Sequence, residues 1–269
     1  MDSVGLYDKI RVTGYNYEEL YLSNPQGHQL GLFLNGSQHR YNYPAVRIHR
    51  RDVRNLLIEH LGEEGIPIHY NKRFKEIVEE TASSVTVAFT DGTQATGDYV
   101  IGCDGIHSKI RHHIHPDAHP IFQDLVGMMG TVYPDQLTDK LGPEGEQESK
   151  RWPVALPRMT FGDKGMFGTF PSDFAGVEFG FFTVQHTHAR TREEWAEFER
   201  NKAELKESME ACFLKEKGGS DYPPEVRILV ERSKPETLSS WPFYVVPETS
   251  AWYSDKGRII FMGDAAHAM

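Results

Sequence analysis

Apolar positions in the first 46 residues come in short runs rather than helical stripes: Tyr15-Asn16-Tyr17, Leu20-Tyr21-Leu22, Leu30 to Leu34 and Tyr41-Asn42-Tyr43. Asn24-Pro25-Gln26-Gly27 and Asn35-Gly36 separate them, and β-prone runs punctuated by turn formers predict antiparallel strands. From Arg50 the period changes. Val53, Leu56, Leu57, His60 and Leu61 share one helical face that Gly62 closes. Ile66 to Tyr70, Phe74 to Val78 and Ser84 to Phe89 predict three strands, with Asp91-Gly92 as a hairpin turn. Asp98 to Cys103 predicts a buried strand that runs into Asp104-Gly105 and a helix over Ser108 to His113. Between residues 121 and 250 the pattern predicts strands around Gly127 to Tyr133, Gly165 to Phe170 and Val177 to Val184. One long helix follows there, opened by a Thr191/Glu194 capping box and striped by Trp195, Phe198, Leu205, Met209 and Phe213 as far as Gly218-Gly219. A last strand, Gly257 to Phe261, enters Gly263-Asp264-Ala265-Ala266-His267. No internal repeat or low-complexity linker interrupts this order.

Composition narrows the class. At roughly 150 residues per domain, 269 residues give about 1.8, one large domain or two intimate ones. Hydrophobic residues at 39% and charged residues at 25% exclude disordered, collagen-like and disulfide-scaffold chains. The net charge of −10 disfavours nucleic acid and anionic membrane surfaces as partners. Two cysteines, Cys103 and Cys212, make no framework, nothing after Met1 reads as a secretory signal, and no apolar run approaches the ~18 residues of a membrane span. The expectation is a cytoplasmic protein with a small-molecule partner and no membrane span; its oligomeric state stays open. His107, His112, His113, His115 and His119 raise a metal question, but Pro116 interrupts the one pair spaced four apart and no metal is expected. The acidic run Glu144 to Glu148 reads as solvated surface, and Cys212 as a small hydrophobe beside the helical stripe.

Two strand-turn-helix elements carry the candidate chemistry: Asp104-Gly105 after the Val100 strand, and Gly263-Asp264 after the Ile259 strand. A glycine at such a turn lets a ligand approach the backbone, and a carboxylate accepts hydrogen bonds from ribose-like hydroxyls. The helix start that follows offers free N–H groups. Taken singly, each is also a common structural corner with Asp as an ordinary N-cap.

The longer strings resemble the internal fingerprints of the single-component flavoprotein monooxygenases, which hydroxylate or epoxidise with one FAD per chain. Tyr99 to Arg111 is similar to the family's Asp-Gly motif and Gly257 to His267 to its Gly-Asp motif. Ile48-His49-Arg50-Arg51-Asp52-Val53-Arg54-Asn55-Leu56-Leu57 is similar to the helix start whose arginine contacts FAD, here Arg50. The fungal members acting on polyketide, terpenoid or aromatic metabolites are the nearest likeness. The resemblance implies an α/β (α+β) fold in which an incomplete FAD-binding, doubly wound domain (47–120 and 251–269) interleaves with a mixed-sheet substrate domain (1–46 and 121–250). It implies that Asp264 hydrogen-bonds the ribityl region and that Gly263, Ala265 and Ala266 let the backbone approach. It implies too that Asp104 and Gly105 line the pyrophosphate side and that Arg50 sets a cationic fork near pyrophosphate or ribityl oxygens. NAD(P)H would reduce the FAD and O2 would supply the inserted oxygen atom; no side chain is demanded as nucleophile or base.

The chain also departs from the family. None of its 24 glycines are spaced Gly-x-Gly, whereas the family opens with a Gly-x-Gly-x-x-Gly turn for the ADP half of FAD and continues past Gly-Asp-Ala-Ala-His into a long helix. The expectation is therefore a member truncated at both ends that binds FAD weakly or not at all. Two alternatives stay open: an inactive remnant that at most binds a small aromatic ligand, and an FAD-dependent reductase that consumes no O2.

Overall fold

The computed structural model describes residues 2–137 and 155–268; the acidic run Glu144 to Glu148 lies outside them. In chain order the elements are α1 (Tyr7–Thr13), β1 (Tyr15–Tyr17), β2 (Glu19–Ser23), β3 (Gln29–Leu34), α2 (Gln38–Tyr41), β4 (Ala45–Arg47) and α3 (Arg50–Glu63). Next come β5 (Phe74–Glu80), β6 (Val85–Phe89), β7 (Gln94–Gly97), β8 (Val100–Gly102), α4 (Lys109–Ile114) and β9 (Ile121–Val132). The chain then forms β10 (Arg158–Gly162), β11 (Gly165–Pro171), β12 (Phe179–His186), α5 (Arg192–Arg200), α6 (Lys202–Phe213) and α7 (Pro224–Arg232). It closes with β13 (Ser239–Val245), β14 (Ile259–Phe261) and α8 (Asp264–His267). The class is mixed α/β, and the chain forms two compact units that alternate along the sequence: residues 1–66 with 126–241, and 67–125 with 242–269.

The first unit is built on a sheet of order β13-β9-β12-β11-β10-β2-β3, in which β10 pairs parallel with β2 while β10-β11, β11-β12 and β2-β3 are antiparallel. Alternation along β11 and β12 sorts side chains onto two faces. Phe167 and Phe181, both fully buried, stack at 5.3 Å on one face, and Phe213 of α6 meets Phe167 edge-on at 5.0 Å. Leu205 and Met209 join Phe213 on the buried stripe of α6, and Val226, Leu229 and Val230 bury the inner side of α7. Each such side chain stabilises the fold by about 1.5–3 kcal/mol relative to exposure. Gly130 makes this packing possible, because a Cβ there would stand 2.5 Å from the Phe181 ring. Phe170 and Phe182 stack at 5.5 Å; Phe170 pairs across with Gly180 and Phe182 with Gly168, which puts both rings on the opposite face from Phe181.

The second unit holds an antiparallel meander, β5-β6-β7, and a parallel pair, β8-β14. Its core joins Val85, Ile110, Ile259, Phe261, Ala265 and Ala266, with Phe74, Ile77, Val100 and Ile114 packed against them. Each parallel strand runs through a glycine turn into a short helix, α4 after β8 and α8 after β14.

Several elements differ from their sequence expectation. Residues 66–70 form no strand: the Ile66 amide is spent capping α3 on the Leu61 carbonyl, and Pro67 has no N–H to offer a ladder. Tyr41 ends α2 instead of opening a strand, and Tyr43 contributes a single bridge to Ser37. The long helix after Thr191 is two helices, because Asn201 terminates α5 and then accepts from the Glu204 amide as the cap of α6. The strand at Val100–Gly102 is not buried throughout, since Ile101 is 59% exposed. Among the described residues β8 pairs with β14 alone. No helix among the described residues is long and apolar enough to cross a membrane.

Candidate functional site

The turn after β8 is fixed by a carboxylate. Asp104 Oδ1 accepts from the Ser108 hydroxyl at 2.5 Å, and its Oδ2 accepts from the amides of Lys109 at 2.8 Å and Ile110 at 3.3 Å. Ser108 in turn accepts from the Arg111 amide at 2.9 Å, so the first turn of α4 is doubly capped. Asp104 thus has a structural task that uses three of its roughly four acceptor positions. Gly105 beside it adopts φ +80°, and nothing lies within 4 Å of where a Cβ would stand. Gly102, by contrast, is pressed against α4: a Cβ would fall 2.7 Å from that of Ile110.

The second turn has a different economy. Gly263 takes φ +61° and ψ −142°, a conformation essentially confined to glycine, and it too faces open space. Asp264 follows it, exposed, with no side-chain hydrogen bond among the described residues. Its carboxylate is free to accept from a ligand. Ala265 is fully buried in the core, so only its backbone can meet a ligand. His267 stacks on Trp252 at 5.3 Å.

Arg111 ties the two turns together. Its guanidinium, 2% exposed, donates to the carbonyls of Ile106 at 2.6 Å, Ala265 at 2.7 Å and Ala118 at 3.0 Å. Burial lowers the pKa of this arginine, and the nearby Asp104 charge works the other way. In the sequence Arg111 stands only at the end of the Asp-Gly motif. The signal for its burial was present, because Ile110, Arg111 and Ile114 fall on one side of a six-residue helix whose other positions are Lys and His. The structure therefore brings Asp104, Gly105, Gly263, Asp264 and Ala265 together in the second unit through an arginine that was not singled out. Arg50 opens α3 in the first unit, exposed and without a hydrogen bond or ion pair among the described residues.

The donor set fits part of a flavin dinucleotide. Two left-handed glycines facing open space leave room at the backbone, and the Asp264 carboxylate suits hydroxyl groups.

Comparison with known proteins agrees with this chemistry. The sequence model of the family described as FAD binding domain matches residues 1–219. Salicylate hydroxylase of Pseudomonas putida is 30% identical over 230 residues, covering 82% of this chain and 49% of that protein. The 6-methylsalicylate 1-monooxygenase atA of Aspergillus terreus is 29% identical over 228 residues, covering 82% of this chain and 45% of that protein. Klebsiella pneumoniae HpxO, solved with FAD and uric acid, superposes with a TM-score of 0.76 at 21% identity, covering all of this chain and 61% of that one. The chain thus spans about half the length of the sequence relatives it matches. On the family match over most of its length, the chain belongs to the FAD-binding-domain family.

Proposed function

We propose that the protein acts as an FAD-dependent monooxygenase that inserts one atom of O2 into a small organic metabolite at the expense of NAD(P)H. The observation that carries this reading is the pairing of the two turns: β8 and β14 lie side by side in parallel and each delivers a left-handed glycine next to an aspartate. The substrate class is a small aromatic acid of the kind named for the relatives, salicylate and 6-methylsalicylate.

FAD, when bound, supplies the redox chemistry and the activation of O2. The chain's own residues bind and orient. Asp264 accepts from ribityl hydroxyls, Gly105 and Gly263 keep the backbone clear, and Ala265 presents its backbone there. Asp104 and Arg111 hold the two turns in shape, with Asp104 and Gly105 on the pyrophosphate side. Arg50 pairs with phosphate oxygens. In this reading the segments 47–120 and 251–269 serve the cofactor, while 1–46 and 121–250 serve the substrate.

The test is a titration of the chain with FAD followed by quenching of flavin fluorescence. Saturable quenching in the wild type, weakened about tenfold in Asp264→Asn and in Arg50→Met, supports the reading. Flavin fluorescence that stays unquenched overturns it for this chain, and NAD(P)H oxidation without O2 uptake at an oxygen electrode points to a reductase.

A further inference from the structure

Arg47, at the end of β4, stands out against the arginine just described. Where Arg111 satisfies its guanidinium on three carbonyls, Arg47 is half-buried and makes no side-chain hydrogen bond or ion pair among the described residues. Its one ring contact is with Phe170, whose centroid lies 4.9 Å from the guanidinium carbon. We propose that Arg47 is the specificity-determining residue that holds the carboxylate of an aromatic substrate beside the Phe170-Phe182 face of the β11-β12 pair. This rests on the monooxygenase reading above and assigns a residue to its substrate.

The surroundings of Arg47 are built for such a ligand. Phe170 and Phe182 stack with planes 21° apart, and the positions opposite them in register are Gly180 and Gly168. A Cβ on Gly168 would stand 2.6 Å from the Phe170 ring and 2.8 Å from that of Phe182, so the missing side chain is what lets both rings lie down on the sheet. A Cβ on Gly180 would collide with Ser172 Oγ at 2.7 Å and would reach van der Waals contact with Arg47 Nη2 at 3.4 Å, so the guanidinium lies directly beside the bare glycine. Tyr15, paired with Arg47 across β1-β4, stacks with Tyr17 at 6.2 Å and adds further aromatic surface.

Among the described residues no carboxylate pairs with Arg47. Glu178, in the turn before β12, is engaged by His49 Nε2 at 2.5 Å. Burial already lowers the pKa of Arg47, with Tyr17 opposing, as expected of a guanidinium that has lost water without gaining an acceptor. A ring contact is a partial substitute, since it leaves the N–H donors unused. A carboxylate fills that deficit two bonds at a time, in the planar geometry a guanidinium favours. An attached aromatic ring then meets the half-buried Phe182 on the same face.

The test compares salicylate with its neutral isostere salicylamide by equilibrium dialysis against the full chain, in the absence of flavin, so that a failure of FAD binding is a separate result. The wild type is expected to prefer salicylate by about tenfold or more. Arg47→Met abolishes that preference while leaving salicylamide affinity in place, and Arg47→Lys keeps a weakened preference because a point charge replaces the fork. Equal affinity for both compounds in the wild type, binding of neither, or an undiminished preference in Arg47→Lys overturns the proposal. The Lys variant keeps the charge and the stem, so it decides the matter even if the Met variant fails to fold.

Discussion

Tyr222 shows how a single buried group is tuned by what lies over it. It is 2% exposed, its hydroxyl donates to the Gly165 carbonyl at 2.8 Å, and a Cβ on Gly162 would collide with it at 2.5 Å. Burial, reinforced by Asp163, pushes its phenol up to about 12 from an ordinary 10.0. Because the folded value lies above the unfolded one, the native state holds the proton more tightly. The associated stability is complete below pH 10 and is lost as the pH rises towards 12. Tyr222→Phe is expected to cost about 1 kcal/mol at neutral pH, the net worth of one hydrogen bond. It should also flatten the decline of unfolding free energy across that alkaline window, measured by urea unfolding at stepped pH. The two arginines make a complementary contrast at this scale. Both guanidinia are partly or wholly withdrawn from water, yet each of the three nitrogens of Arg111 donates to a main-chain carbonyl while Arg47 rests on a ring with no side-chain hydrogen bond among the described residues.

At the scale of elements, local chemistry was the part most open to reading. The Thr191/Glu194 capping box forms in both directions, with Thr191 Oγ1 accepting from the Glu194 amide and the Glu194 carboxylate accepting from the Thr191 amide at 2.7 Å. Thr191→Ala is expected to lower stability by about 1 kcal/mol, seen as a fall in the thermal midpoint. All five stripe residues from Trp195 to Phe213 are buried, although the helix carrying them breaks at Asn201. Periodicity survived the break because Asn201 ends one helix and caps the next while the stripe on both stays buried. Both strand-turn-helix elements and the Asp91-Gly92 hairpin likewise follow from glycine and aspartate placement, with Gly92 at φ +83°. What the sequence concealed depends on partners far along the chain. β10 reads as an undistinguished Arg-Met-Thr-Phe-Gly, and it is a strand because β11 and β2 flank it. Residues 66–70 alternate well enough for a strand and lack a neighbour to pair with. Of the candidate site, the residue types were legible; that Asp104 spends its oxygens on a helix cap, and that Arg47 and Arg111 differ in kind, were not.

The whole molecule combines a net charge of −10 with an apolar strip that water reaches. Ile101 on β8 sits opposite Ile260 on β14, and Ile260 bridges to Tyr253; Ile101 and Tyr253 are each 59% exposed. Like charge keeps copies apart at low ionic strength, and added salt shortens the range of that repulsion, with a Debye length of about 10 Å at 0.1 M. Light scattering of the chain is therefore expected to rise with salt, and Ile101→Lys to suppress that rise without lowering the thermal midpoint. The Arg111 clamp supplies order to a helix too short to hold itself. The helix after Gly263 has four residues, fewer than a free helix needs to persist. Its carbonyl anchor at Ala265 is gripped by an arginine 154 positions earlier in the chain. The order of the Gly-Asp turn is thus lent to it by the Arg111 side chain rather than generated on the spot.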